Sequence, residues 1–166
     1  MKIQTFTGRM VDPCNPDPAD IDLEDVAHAL SHLCRFTGHA SVFYSVAQHS
    51  LWVCDWLAHR GAKPVLQLAG LLHDASEAYL GDLNTPAKRQ LRDYRDAEER
   101  VQRAVAEAFG LPFDLLVCRT VKEADEAAYE SEKLALLDGK GPPMINPYDA
   151  KFVFKGEVRR LQDECR

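Results

Sequence analysis

Long apolar runs are missing from this sequence. No stretch approaches the ~20 consecutive apolar residues that a membrane-spanning helix needs. The first ten residues, MKIQTFTGRM, lack the apolar segment of a secretory signal. We therefore expect a cytoplasmic protein with no membrane partner.

Paired cysteines and surplus positive charge are also lacking. The five cysteines are odd in number, stand far apart and form no CxxC pair, so neither a disulfide framework nor a thiolate zinc site is indicated. Twenty basic residues face 26 acidic ones, which leaves a formal net charge of -6. Such a chain has no general attraction to nucleic-acid backbones, and a polynucleotide partner is not expected.

Alternating strand patterns and internal repeats are absent too, and helical periodicity remains. The chain has 166 residues, 46% of them apolar, which suffices for one core. We expect one all-α domain over residues 1–166, a bundle of about six helices. Residues 1–20 contain the proline-rich PCNPDP and predict an irregular arm, with a short edge strand possible around residues 3–6.

Apolar residues three and four positions apart predict the first three helices. Asp22 is a candidate N-cap for the first, which we expect to end near Gly38. The segments SVFYSVAQHSLWVCDWLAHRG and PVLQLAGLLHDASEAYL are apolar on most sides and should form the core. Gly61 suits the end of one and Pro64 the start of the other.

The C-terminal half predicts three more helices. A charged surface helix covers RDYRDAEERVQRAVAEAFG, and a long helix covers FDLLVCRTVKEADEAAYESEKLALLDG. GPPMINP predicts a break before a short last helix, GEVRRLQDECR.

Polar residues on the two core helices are candidates for a metal site. His73 and Asp74 are adjacent, and Glu77 lies within about one helical turn of them. Burying such groups costs free energy unless a partner or a metal ion compensates for the lost hydration. HD dipeptides are common, however, and three ordinary hydrogen-bonded residues explain this segment equally well.

His49 and Asp125 complete the candidate set. His49 lies in the middle of the other core helix, where its imidazole could point at His73, and Asp125 is flanked by alanines on a later helix. Alone, a core histidine is usually only hydrogen-bonded. With His73 and Asp74 the two residues offer two nitrogen donors and two carboxylates, a set that suits divalent zinc, manganese, cobalt, iron or nickel.

The order of these residues resembles the HD-domain superfamily of metal-dependent phosphohydrolases, an all-helical family. HDASEAYLGDLNTPAK is similar to the HDxSExxxGDxxTPxK block of bacterial 5'-deoxynucleotidases, and VAQHS to their VxEHS, over about residues 33–135. FTGR, DPCNP, CRFTGH, FYSVAQHS and GDLNTPAK, in this order, also resemble short bacteriophage HD proteins, some of them similar to deoxyadenosine triphosphate triphosphohydrolases. That second resemblance covers nearly the whole chain.

The resemblance implies a role for each matching position. The implied metal ligands are His49, His73, Asp74 and Asp125. Glu77 and Asp82 would handle protons and water, with the acid and the base not distinguished, and Arg35 would contact phosphate. Phe36 stands where the nucleotidases have tryptophan and Gln48 where they have glutamate, which leaves the choice of base open.

Further residues are candidates for substrate binding. Lys88 could add positive charge beside Arg35, and Phe36 with Pro86 could flank a nucleobase. His39 follows CRFTG and could reach the pocket. A solvated structural role for Lys88 and core packing of Phe36 are the alternatives.

Metal-assisted hydrolysis of a deoxynucleotide at the phosphate next to the sugar is the expected activity. The metal would polarise a phosphoryl oxygen and activate water, with magnesium possible as a second ion. We expect a dATPase-like triphosphohydrolase that releases deoxynucleoside and triphosphate, with a 5'-deoxynucleotidase acting on monophosphates as the alternative. Two other classes are a two-iron oxygenase, which needs extra histidine ligands, and a nucleotide-binding regulator, which binds without turnover.

Association with further copies of the chain is also predicted. The apolar arm and aromatic residues such as Trp52, Trp56 and Tyr94 favour a homo-oligomer. A small nucleotide substrate is the other expected partner.

Overall fold

A computed structural model describes residues 1–137 and 145–166 of the chain. In chain order its helices are α1 (Leu23–His32), α2 (Val46–His59), α3 (Pro64–Leu72), α4 (Glu77–Leu80), α5 (Thr85–Gln90), α6 (Arg92–Ala108), α7 (Phe113–Leu116), α8 (Arg119–Leu137) and α9 (Pro147–Glu164). The longer helices α1, α2, α3, α6, α8 and α9 form the bundle. The predicted all-α class is confirmed, and none of the described helices is long and apolar enough to cross a membrane.

The N-terminal arm is a small hairpin fastened to α1. Strands β1 (Ile3–Gln4) and β2 (Met10–Val11) pair antiparallel with each other. Asp25 of α1 is buried and accepts hydrogen bonds from the Thr5 hydroxyl at 2.8 Å and from the Thr7 amide at 2.7 Å. The strand expected near residues 3–6 is therefore present in shorter form.

Helix α1 begins as predicted but ends early. The Asp22 side chain accepts a hydrogen bond from a backbone N–H of the first turn. The sequence predicted that this helix ends near Gly38. That prediction was wrong, since the helix ends at His32. Cys34 is extended and forms an isolated antiparallel bridge with Ser45, the residue that caps α2.

Helices α2 and α3 lie at the centre of the bundle, as predicted. Leu57 of α2 and Leu68 and Leu71 of α3 are buried. Gly70 faces α2 so closely that a Cβ atom there would clash with the Leu57 side chain and crowd Val53. Glycine is therefore the residue that permits the close approach of these two helices.

The C-terminal half departs from the prediction at two boundaries. The long helix expected from Phe113 is divided at Val117 into α7 and α8. The last helix begins at Pro147 rather than near Gly156, because the Asn146 side chain caps its first turn and proline suits the first helical position. The break expected over residues 141–147 falls largely outside the described residues.

The three aromatic side chains behind the oligomer prediction all make contacts within the chain itself. Trp52 and Trp56 are partly buried against the core, and the Tyr94 hydroxyl donates to the Gly81 carbonyl oxygen at 2.8 Å. Homo-oligomerisation stays a prediction.

The predicted third helix is interrupted at residues 73–76 by a turn that α6 stabilises. The buried Gln102 side chain donates from Nε2 to the carbonyl oxygens of Leu72 at 2.9 Å and His73 at 2.6 Å. Its Oε1 accepts from the Ser76 amide at 3.1 Å. One amide thus satisfies three backbone groups that an unbroken helix would pair internally.

Replacing Gln102 by leucine is expected to lower the free energy of unfolding by on the order of 1–3 kcal/mol, the cost of leaving buried polar groups unpaired. Gln90→Leu, at an exposed position at the end of α5, is the matched control. Urea titration followed by circular dichroism measures both. Equal stability of the two variants would show that the turn does not depend on Gln102.

Candidate metal and phosphate site

The four side chains predicted as metal ligands come from three elements and lie close together. His49 comes from α2, His73 and Asp74 from the turn after α3, and Asp125 from α8. The two histidine Nε2 atoms are 3.3 Å apart. Oδ2 of Asp74 lies 3.2 Å from the His73 Nε2, and Oδ1 of Asp125 lies 3.1 Å from the His49 Nε2. His49, His73 and Asp74 therefore lie close enough to one another to share one ion, and Asp125 lies beside them through its contact with His49.

The second ring nitrogen of each histidine is engaged elsewhere. Nδ1 of His73 is 2.7 Å from the Gly70 carbonyl oxygen, which can only accept. Nδ1 of His49 is 2.8 Å from Oε1 of Glu132, a carboxylate oxygen. With a proton on each Nδ1, both Nε2 atoms present a lone pair to the cluster.

Hydrogen-bond acceptors crowd this cluster, and its carboxylates and imidazoles shift one another's pKa. Burial lowers the pKa of His73, but the adjacent Asp74 and Asp125 outweigh burial and raise that pKa well above its ordinary value. Burial alone would raise the pKa of Asp74 and of Asp125, yet His73 and His49 hold both well below the usual range. A divalent cation would supply the positive charge that a proton otherwise supplies, so this donor set fits a metal ion.

Arg35 lies beside the cluster, fixed by a carboxylate that the sequence did not single out. Its Nε and Nη2 each lie 3.0 Å from Oε2 of Glu132, and its Nη1 lies 3.8 Å from Oδ2 of Asp74. Burial would lower the pKa of Arg35, but these two carboxylates raise it. The other glutamates of α8 are exposed. The sequence feature that could have identified Glu132 is its spacing, since it follows Asp125 by two turns on the same face of the helix.

The turn that carries Arg35 has unusual backbone geometry. Phe36 and Thr37 have φ angles of 57° and 54°, in the left-handed region that L-residues other than glycine rarely adopt. The Phe36 ring faces Tyr129 of α8 with centroids 6.0 Å apart. The same turn carries His39 to the exposed surface, and the structure does not bring His39 to the cavity as the sequence predicted.

A cavity of about 520 Å³ opens beside the cluster. It is lined by the predicted residues Arg35, Phe36, Asp74, Glu77, Asp82, Pro86, Lys88 and Asp125. Thr37, Arg89 and Tyr129, which the sequence did not single out, also line it. A larger cavity of about 690 Å³ lies between α3, the end of α6 and the C-terminal residues, and none of these side chains lines it. We therefore assign the site to the smaller cavity.

Glu77 and Asp82 are carboxyl groups on the cavity wall. Burial, followed by the charges of Asp74 and Asp82, raises the pKa of Glu77 well above its ordinary value. Oε2 of Glu77 is buried and has no hydrogen-bond partner among the described residues. Gly81, with a φ of 81°, ends α4 and turns the chain so that Asp82 lines the cavity, where burial raises the pKa of Asp82. Both groups have the environment of carboxyls that exchange protons.

Two basic residues of α5 line the same cavity in different states. Lys88 forms an ion pair with Glu98 of α6 at 2.6 Å and lies 3.9 Å from Oε1 of Glu77. Lys88 therefore makes a structural contact with α6 and also lines the cavity. Arg89 is exposed and forms no ion pair within the part of the chain that the structure describes.

Comparison with known proteins places the chain among uncharacterized bacterial relatives. No family model matches it. An uncharacterized protein of Rhodobacter capsulatus is 40% identical over 139 residues, which cover 78% of this chain and 71% of that protein. The uncharacterized protein YfdR of Escherichia coli is 39% identical over 156 residues, which cover 92% of this chain and 83% of YfdR. Because this identity extends over most of both chains, the protein belongs to the same family as YfdR.

Proposed function

We propose that this protein is an HD-domain phosphohydrolase that cleaves a deoxynucleotide at the phosphate next to the sugar. The observation that carries the proposal is the convergence of His49, His73, Asp74 and Asp125 beside a cavity with an unpartnered buried carboxylate oxygen on Glu77. A divalent ion such as zinc, cobalt or manganese held by the first four would polarise a phosphate oxygen and activate water.

The chain's own residues supply the remaining chemistry. Arg35 presents its Nη1 to a phosphate oxygen and stabilises the charge that grows during attack. Glu77 and Asp82 both line the cavity, and burial raises the pKa of each. One of these two carboxyl groups accepts the proton of the attacking water, and the other donates a proton to the leaving 5' oxygen. A bond from the water oxygen to phosphorus forms, and the bond from phosphorus to the 5' oxygen breaks.

Positive charge along the cavity favours a triphosphate over a monophosphate. Arg35 lies at the cluster, Lys88 lies near Glu77, and Arg89 is exposed at the cavity. Lys88 is paired with Glu98, whereas Arg89 forms no ion pair among the described residues and is available to neutralise a phosphate beyond the one that is attacked. A volume of about 520 Å³ lies within the range of small-molecule sites. We therefore favour a dATPase-like triphosphohydrolase over a 5'-deoxynucleotidase.

The arrangement of histidines does not support a two-iron oxygenase. Among the described residues, no further histidine belongs to the cluster of His49, His73 and Asp74, and no histidine lines the cavity. His28 instead stacks on Phe6 of the arm, with centroids 3.7 Å apart, and on His32. A nucleotide-binding regulator would bind nucleotide without turnover, and an activity assay distinguishes this alternative from the hydrolase.

Incubation with manganese or cobalt and a panel of deoxynucleoside mono-, di- and triphosphates is expected to release deoxynucleoside and inorganic triphosphate from the triphosphates. Phosphorus NMR of the products identifies the leaving group. Orthophosphate from monophosphates alone would assign a 5'-deoxynucleotidase instead. Binding of nucleotide and metal with no turnover would contradict the proposal and favour a regulator.

Glu77→Gln is expected to lower kcat by roughly 10²–10⁴-fold, the usual contribution of a general acid or base, while metal binding persists. Asp74→Ala is expected to lose both turnover and metal. Glu99→Gln, at an exposed position of α6, is the control. Activity measurements with metal analysis of the same samples test this contrast, and full activity in Glu77→Gln would remove Glu77 from the mechanism.

Arg89→Ala is expected to lower kcat/KM for triphosphates by roughly tenfold, as a lost charge-assisted hydrogen bond does, and to leave monophosphate turnover unchanged. Arg92→Ala, on the exposed first turn of α6 and outside the cavity wall, is the matched control. Steady-state kinetics with both substrate types measures the difference. An equal effect on both substrates would mean that Arg89 does not contact the outer phosphates.

A further inference from the structure

Glu132 is a buried carboxylate that joins two separate parts of the site. It lies on α8 and is 2% exposed. Its Oε1 is 2.8 Å from Nδ1 of His49, and its Oε2 is 3.0 Å from both Nε and Nη2 of Arg35. One side chain therefore contacts a candidate metal ligand from α2 and the candidate phosphate-binding arginine.

We propose that Glu132 is a positioning residue, which sets the tautomer of His49 and the orientation of Arg35 together. The consequence for catalysis rests on the function proposed above. The tautomer and the arginine geometry are properties of the chain without metal or substrate, and they can be measured separately.

The tautomer follows from what each atom can donate. Nε of Arg35 donates to Oε2 of Glu132 at 3.0 Å, and Nη2 lies at the same distance from that oxygen. Nδ1 of His49 lies 2.8 Å from Oε1 of the same carboxyl group. With a proton on Nδ1 this contact is a hydrogen bond, and Nε2, the atom that faces His73 and Asp125, is then the nitrogen that can bind an ion. A free imidazole adopts both tautomers, and the tautomer with Nε2 protonated cannot bind an ion there.

The arginine geometry follows from the same carboxylate. The Nε–H bond to Oε2, with Nη2 at 3.0 Å from the same oxygen, holds the guanidinium against Glu132 and leaves Nη1 on the side of Asp74. The Arg35 side chain is 11% exposed, so that little water is available to replace this partner. Loss of Glu132 would leave a buried charge without compensation.

Two substitutions separate this role from general destabilisation. Glu132→Leu removes both contacts. Glu132→Gln keeps the shape, but its amide NH₂ must face either the Arg35 donors or Nδ1 of His49, so one of the two contacts is mismatched. Glu130→Gln, at an exposed position of the same helix, is the control, and circular dichroism shows which variants fold.

The test combines three readouts on manganese-binding and metal-free protein. Long-range proton–nitrogen NMR of the metal-free protein is expected to show His49 protonated on Nδ1, and to show that tautomer depleted in Glu132→Leu. Calorimetric manganese affinity is expected to fall about 10–100-fold in that variant, as for other partners of metal-binding histidines. Glu132→Gln is expected to show either weaker manganese binding or a raised KM with nucleotide.

The outcomes distinguish this inference from the proposed function. Altered His49 tautomer and weaker manganese binding in a protein that hydrolyses no nucleotide would support the positioning role and reject the phosphohydrolase. Wild-type tautomer, manganese affinity and KM in folded Glu132→Gln, or wild-type tautomer and affinity in folded Glu132→Leu, would overturn the positioning role even in an active enzyme.

Discussion

The crowding of hydrogen-bond acceptors at the centre of an apolar helix bundle is the constraint on which this structure depends. Two imidazole nitrogens and two carboxylates face one another beside the cavity, where the His49 side chain is fully buried and the Asp125 side chain is 43% exposed. Such a group is stable only with positive charge among its members. In the metal-free chain, the adjacent carboxylates raise the pKa of His73, which favours a proton on that imidazole. The surrounding contacts serve to hold the acceptors in place against their mutual repulsion.

Some of the supporting contacts come from elements that carry no candidate ligand. Gln102 of α6 satisfies the backbone of the turn that presents His73 and Asp74. The Gly70 carbonyl oxygen fixes the His73 ring, and the absence of a side chain at Gly70 brings α2 and α3 close together. The geometry of the cluster is therefore a property of the packed bundle rather than of the HD pair alone.

The sequence was sufficient to predict the helical class, because periodicity identifies amphipathic helices. None of His49, His73, Asp74 and Asp125 was informative alone, and only their order along the chain, which resembles a known family, suggested that they form one site. Helix interruptions were missed because they depend on distant partners.

Residues that act through another residue were also beyond the sequence. Gln102, like Glu132, occupies an ordinary position on a charged helix, and only the packing of α6 or α8 against the core buries its side chain. His39 was placed in the pocket from its proximity to Arg35 along the chain, but local proximity does not predict direction when a turn intervenes. The turn itself was unpredictable, since neither Phe36 nor Thr37 favours a left-handed backbone.

That turn has a consequence for how the protein can change. A left-handed conformation disfavours most side chains by roughly 1–2 kcal/mol per residue, and Phe36 and Thr37 adopt it in succession at the wall of the cavity. Glycine at Thr37 would relax the local strain, yet it would also widen the range of conformations open to the neighbouring arginine and ring. A substitution that relaxes the backbone strain at these two positions would therefore raise the stability of the fold. The same substitution would lower the preorganisation of the cavity wall.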